Sequence, residues 1–213
     1  MEGYETAGEE GEGRDAPWER RAELGRYRTF VETLKSASLT PSRFFTGLKV
    51  RDLVSPLFFA WIAGGIGAFF GALWNLLGAT IGEVPQAPVV ALSFLVVAPL
   101  VVPLTLLLEA ALVHLGCLVF GCARNGFEAT FRAVAYGEGP RLLGAVPILG
   151  SVAGTIWSLV IWVIGIARLQ RTSIGTAALA VLVPLAAVLL LGCCCAGVGL
   201  GLLAHGANLL PAP

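Results

Sequence analysis

The sequence predicts an all-α, polytopic transmembrane bundle of about five spans, amino end cytoplasmic and carboxyl end outside. Three observations predict it. Of the 213 residues, 56% are hydrophobic and 13% charged, with mean hydropathy +0.82, whereas soluble domains carry about 25% charge. The charges are also segregated: residues 1–52 hold nine Lys+Arg and ten Asp+Glu, leaving five and four for the other 161. Finally, segments 53–82, 84–108, 142–167 and 172–213 contain no Asp, Glu, Lys or Arg, and each exceeds the roughly 20 residues that cross a bilayer core. Equal totals of 14 basic and 14 acidic residues supply no basic surface for nucleic acid. The first apolar run starts at Leu53, too late and too long for a cleavable secretory signal.

The polar arm divides in two. Residues 1–16 are rich in Gly and Glu, which predicts disorder. From Pro17 to Arg51, Leu24, Tyr27, Phe30, Val31 and Leu34 follow helical spacing beside Arg20, Arg21, Arg28 and Lys35. That pattern suits a helix on an anionic leaflet, with Trp18, Arg20, Arg21 and Tyr27 as its interfacial residues. Packing against the bundle's own end is an equal alternative. Thr40-Pro41 reads as the N-cap and first residue of a second short helix containing Phe44, Phe45 and Leu48.

The transmembrane domain is expected over 52–208. Hydropathy alone gives four spans, and the positive-inside bias adds a fifth. Eight basic residues between Arg20 and Arg51 place the amino end inside, and the loop 83–87 carries none. Returning Arg124, Arg168 and Arg171 to the same side then requires spans near 56–80, 88–121, 126–149, 152–168 and 177–204. The third contains Glu128, Arg132, Glu138 and Arg141, each expensive in lipid at roughly 2.5 to 3.5 kcal/mol on insertion scales. Arg124, Glu128 and Arg132 share one helical face, with Glu128 placed to pair with Arg132. Tyr136-Gly-Glu-Gly-Pro140 then breaks the helix. The second span is long and holds Pro99 and Pro103 near its start.

Small residues four apart, as at Gly67/Gly71, Gly78/Gly82, Gly150/Gly154 and Gly197/Gly201, allow close helix approach, more often within one bundle than at a dimer face. Cys193, Cys194 and Cys195 are consecutive, point around the helix and cannot form one tetrahedral site; Cys117 and Cys122 lack CxxC spacing. No catalytic, cofactor or metal motif is complete. The one candidate intramembrane polar site is Glu109, His114, Glu128 and Arg132, next to the helix break at Tyr136 and Pro140; ionisable residues in a membrane are functional candidates by default.

The order of motifs resembles the Yip family. It runs from the arm through Asp52-Leu-Val-Ser-Pro56, His114-Leu with Phe120-Gly121, and Gly126-Phe-Glu-Ala-Thr-Phe-Arg132. Ala135-Tyr136 with Pro140, Pro147 with Gly150, Ile156-Trp157 and Arg168 follow. The likeness spans about 52–204. Val54 and Ser55 stand where eukaryotic members tend to have an aromatic residue and Gly. The resemblance implies a five-span protein with the amino end in the cytoplasm and small-GTPase partners if eukaryotic. Twelve Arg against two Lys, with abundant Ala, Gly and Val, point to a bacterial member in the cytoplasmic membrane; a eukaryotic one would sit in Golgi or ER membranes. The expected function is a non-enzymatic scaffold or adaptor in membrane organisation or trafficking, in contact with the lipid bilayer, with a membrane or cytosolic protein partner and scope for homo-oligomers. The competing reading is a small transporter or channel built on the polar site.

Overall fold

The computed structural model describes residues 13–81, 87–147 and 149–208. The expected disordered tail lies outside the described residues over 1–12, as does the first loop over 82–86. Among the described residues the chain is helical with no extended strand. The arm comprises a 3-10 turn (Pro17–Arg20), α1 (Arg21–Leu24), α2 (Arg26–Leu39) and α3 (Pro41–Phe45). The membrane block comprises α4 (Val54–Ile81), α5 (Ala87–Val119), α6 (Gly126–Tyr136), a 3-10 segment (Gly139–Ala145), α7 (Leu149–Leu169) and α8 (Ile174–Asn208).

Among the described residues, four helices are long and apolar enough to cross a membrane, over Val54–Ala79, Val96–Val119, Leu149–Leu169 and Ile174–Cys195. The expected third span, 126–149, is not a continuous helix: α6 stops at Tyr136, where Gly137, Gly139 and Pro140 cannot sustain it. The segment nevertheless lies antiparallel to α7 along its whole length. Asn125 bonds Gln170 and the Leu169 carbonyl, Trp162 donates to Val134 O, Gly154 lies against Pro140, and Gly150 against Leu143. Eleven α-helical residues rise about 16 Å, and seven 3-10 residues about 14 Å more. The broken rod therefore matches the height of α7, with Arg132, Glu138 and Arg141 within the bundle and Glu128 at its exposed arm end.

Tryptophan repairs the backbone where helices break. Pro103 has no N–H to offer Pro99 O, and Trp61 donates its indole N–H there instead, at 3.0 Å. Trp162 does the same for Val134 O at the end of α6 (3.1 Å), Trp74 for Gly144 O (3.0 Å) and Trp157 for Ser38 O (2.9 Å). Trp18 donates to Ser55 O at 2.9 Å. All five tryptophans in the chain thus meet backbone carbonyls, which matters because an unmet carbonyl in hydrocarbon costs several kcal/mol.

The glycine pairs divide. A Cβ on Gly116 would collide with the Ala180 carbonyl, one on Gly150 with Leu143 O, and one on Gly67 would stand 2.8 Å from Arg141 O; Gly71 and Gly78 face open space. Close packing thus falls within the bundle, between α5 and α8 and around the 139–145 segment.

Candidate functional site

The arm is folded onto the membrane block and is not a free interfacial helix. Trp18 is buried, with its backbone N–H on Thr33 Oγ1 at 2.8 Å, and its ring meets Phe30 and Phe59. Arg21 lies 5.1 Å over the Trp18 ring and donates to Ser55 Oγ. Arg20 stays exposed and pairs with Glu23 at 3.1 Å. Tyr27 is 83% exposed and Leu24 half-exposed, while Phe30 and Leu34 of the same stripe pack inward together with Thr29, Thr33 and Ala37. Docking begins before Pro17: Arg14 exchanges backbone bonds with Gly47 and Lys49. The expected Thr40 cap bond does not form, because its hydroxyl donates to Ser36 O.

The four residues expected as one polar site fall in three places plus a surface position. Arg132, wholly buried, pairs with Glu19 of the arm and not with Glu128. Its Nη1 donates to Glu19 Oε1 at 2.6 Å and its Nε to Lys49 O at 3.2 Å, while the Tyr136 hydroxyl donates to the same Glu19 oxygen at 2.9 Å. Glu19 Oε2 accepts from its own turn, at Ala16 N. Phe44 and Phe59 close over the Tyr136 ring. Burial raises the Glu19 carboxyl's pKa, while the Arg132 guanidinium and then the Tyr136 hydroxyl pull it down. Its ionised state therefore leans on the arginine.

Glu109 bonds Arg141 rather than His114: Arg141 Nη2 donates to Glu109 Oε1 at 2.8 Å, and Arg141 Nε stands 2.8 Å from Glu138 Oε2. Two carboxylates thus share one guanidinium. Glu109 Oε2 and Glu138 Oε1 have no hydrogen-bond partner among the described residues. Glu138 and Arg141 line a cavity of about 440 Å³ between α4, α5 and α7, with Gly64, Thr105 and Ser151 on its wall. Pro140 supplies no chemistry; it begins the 3-10 segment that carries Arg141 to this point.

His114 lies half-buried in a third knot. Its Nδ1 is 2.9 Å from Thr130 Oγ1, which also accepts from Gln170 Nε2 at 3.0 Å, and Gln170 reaches the Gly126 carbonyl. This network ties α5, α6 and the α7–α8 turn. Glu128 is exposed at the arm end of the bundle. Cys117 and Cys122 are buried and free, and Cys193, Cys194 and Cys195 are exposed.

A family model described as the Yip1 domain matches residues 36–195. The chain belongs to the Yip1 domain family. The match covers about three quarters of the sequence and agrees with the resemblance carried by the motifs. It makes the chain an integral, multi-pass membrane protein in contact with the bilayer. No curated protein and no solved structure matches it. The Yip1 domain begins at Ser36, so Arg132 and Tyr136 lie inside it and Glu19 outside. The ion pair is therefore a latch between the domain and the arm that precedes it.

Sequence reasoning missed Glu19 because it sits among surface-patterned arm residues. The available signal was Arg132 itself, a charge inside a crossing that had to find a carboxylate. Glu138 and Arg141 were visible as costly charges, but their meeting with Glu109 depends on the helix break.

Proposed function

We propose that this chain is a non-enzymatic membrane scaffold whose arm is a docked platform on the cytoplasmic face, with the carboxyl end outside, in a bacterial cytoplasmic membrane. The observation that carries this reading is the Glu19–Arg132–Tyr136 latch: a buried ion pair joins the arm to the Yip1 domain. It holds the outer face of α2, with Tyr27 and Leu39 exposed, in a fixed position. A fixed, exposed aromatic surface beside the bilayer suits recognition of a protein partner.

Photo-crosslinking from position 27 in intact cells tests it. A discrete protein adduct that disappears in Glu19→Gln is expected. Adducts to lipid alone would overturn the adaptor reading. Cysteine labelling tests the orientation, with Asn125 and Thr172 expected on the side of the arm and Ser151 on the other.

A second reading, a small transporter or channel, is favoured by one observation: the cavity beside Glu109, Glu138 and Arg141 places unmatched carboxylate oxygens within the bundle. Such residues mark solute paths in other membrane proteins. Liposome flux that is unchanged by Glu109→Gln and Arg141→Gln would eliminate it.

A further inference from the structure

A second cavity, of about 570 Å³, opens at the arm end of the bundle where α6 begins and α7 ends. Arg51, Arg168 and Arg171 line it with a single carboxylate, Glu128. Three guanidiniums around one concavity repel one another unless an anion joins them.

The protein does little to neutralise them. Arg168 donates to the neutral Ser42 hydroxyl at 2.8 and 3.2 Å. Arg51 has Asp15 at 3.6 Å, with 57% of its own side chain exposed. Arg171 makes no ion pair among the described residues. Glu128 leans back toward the start of its own helix: its Oε2 would lie 3.0 Å from a Cβ on Gly126, where a carboxylate serves the helix dipole. The turn that presents Arg171 is also specifically shaped. Arg171 is the only non-glycine residue with positive φ (53°) among the described residues, and Arg124 holds its carbonyl at 2.9 Å.

We propose that this pocket binds the phosphate of an anionic lipid headgroup. Guanidinium forks match phosphate oxygens in bidentate geometry. The site stands at the ends of membrane-crossing helices, at headgroup level, and Val50 and Leu169 give it an apolar wall against which a glycerol backbone can lie. Basic pockets between helices at this level are a recurrent lipid-binding arrangement.

The experiment is native mass spectrometry of the full chain in phosphatidylcholine-containing micelles, titrated with phosphatidylglycerol. A preference for phosphatidylglycerol of about tenfold is expected. Arg168→Gln with Arg171→Gln should abolish the preference, whereas Arg28→Gln on the outer face of α2 should leave it unchanged. Glu128→Gln should strengthen binding, a gain that misfolding cannot mimic. Equal phosphatidylglycerol binding by wild type and the double variant would overturn the proposal. So would displacement of phosphatidylglycerol by millimolar inorganic phosphate, which would assign the pocket to a soluble anion.

Discussion

The two ion clusters of the bundle use the same side-chain chemistry and end in opposite conditions. At the arm end, Arg132 has two acceptors, Glu19 and the Lys49 carbonyl, and Glu19 has three donor groups, Arg132, Tyr136 and Ala16 N. Aromatic rings close over it. In the middle of the bundle, Arg141 is shared by Glu109 and Glu138, and a carboxylate oxygen of each faces no donor among the described residues. One cluster has its hydrogen bonds met and is covered by rings; the other sets one guanidinium between two carboxyl groups and borders a cavity. Removing either Arg132 or Glu19 leaves the other charge without its bonded partner. Removing a carboxylate from the second relieves repulsion.

That contrast sets the largest expected effect. Arg132→Met strands Glu19 in an apolar site, and breaking a buried pair in this way costs about 3 to 5 kcal/mol. Thermal unfolding in detergent should show the loss, and trypsin should cut the released arm at Arg26 or Arg28 long before it cuts wild type. Combining Arg132→Met with Glu19→Leu should recover much of the stability, because two apolar side chains can replace a buried pair. If the single variant keeps wild-type stability and protease resistance, the latch is not what holds the arm.

Packing gives the next effect, again by comparison of two positions. Gly116→Ala drives a methyl into the Ala180 carbonyl, and overpacking of this kind costs typically 1 to 3 kcal/mol. Gly71→Ala meets nothing and, by helix propensity, should be neutral or stabilising by up to about 1 kcal/mol. Equal melting temperatures for the two variants would mean that α5 and α8 do not approach as described.

How much of this was legible in the sequence follows from the range of each interaction. The arm and membrane block, the four apolar helices and the break after Tyr136 are local in hydropathy or in Gly and Pro chemistry, and a single sequence displays them directly. Family membership was legible for a related reason, since its motifs sit at helix ends and breaks. The partners of Arg132 and Glu109 were not legible. Glu128 lies one turn from Arg132, and periodicity alone favours that pair; Glu19 is 113 positions away and wins because the arm folds back over the bundle end. Whether Trp18 meets lipid or protein was open in the sequence for the same reason. Its amphipathic setting is identical whether the covering surface is lipid or protein, and the choice depends on Thr33, Ser55 and Phe59 converging from two other helices.

The smallest expected effect is the most direct test of the difference between the clusters. Glu109→Gln keeps the shape of the side chain and removes one of the two carboxyl groups around Arg141, leaving Glu138 as its partner. Glutamine's carbonyl can still accept from Arg141 Nη2. Stability should therefore shift by no more than about 1 kcal/mol, in either direction, the ordinary net value of one hydrogen bond. Glu19→Gln makes the same chemical change in the saturated cluster and removes the carboxylate bonded to Arg132. It should cost several times more, because Arg132 is then a buried cation without its bonded counter-charge. Both variants can be measured by the same thermal unfolding assay. If they destabilise equally, then the unmatched oxygens of Glu109 and Glu138 are held as tightly as the latch, and the cavity beside them has no unmet charge to offer a solute.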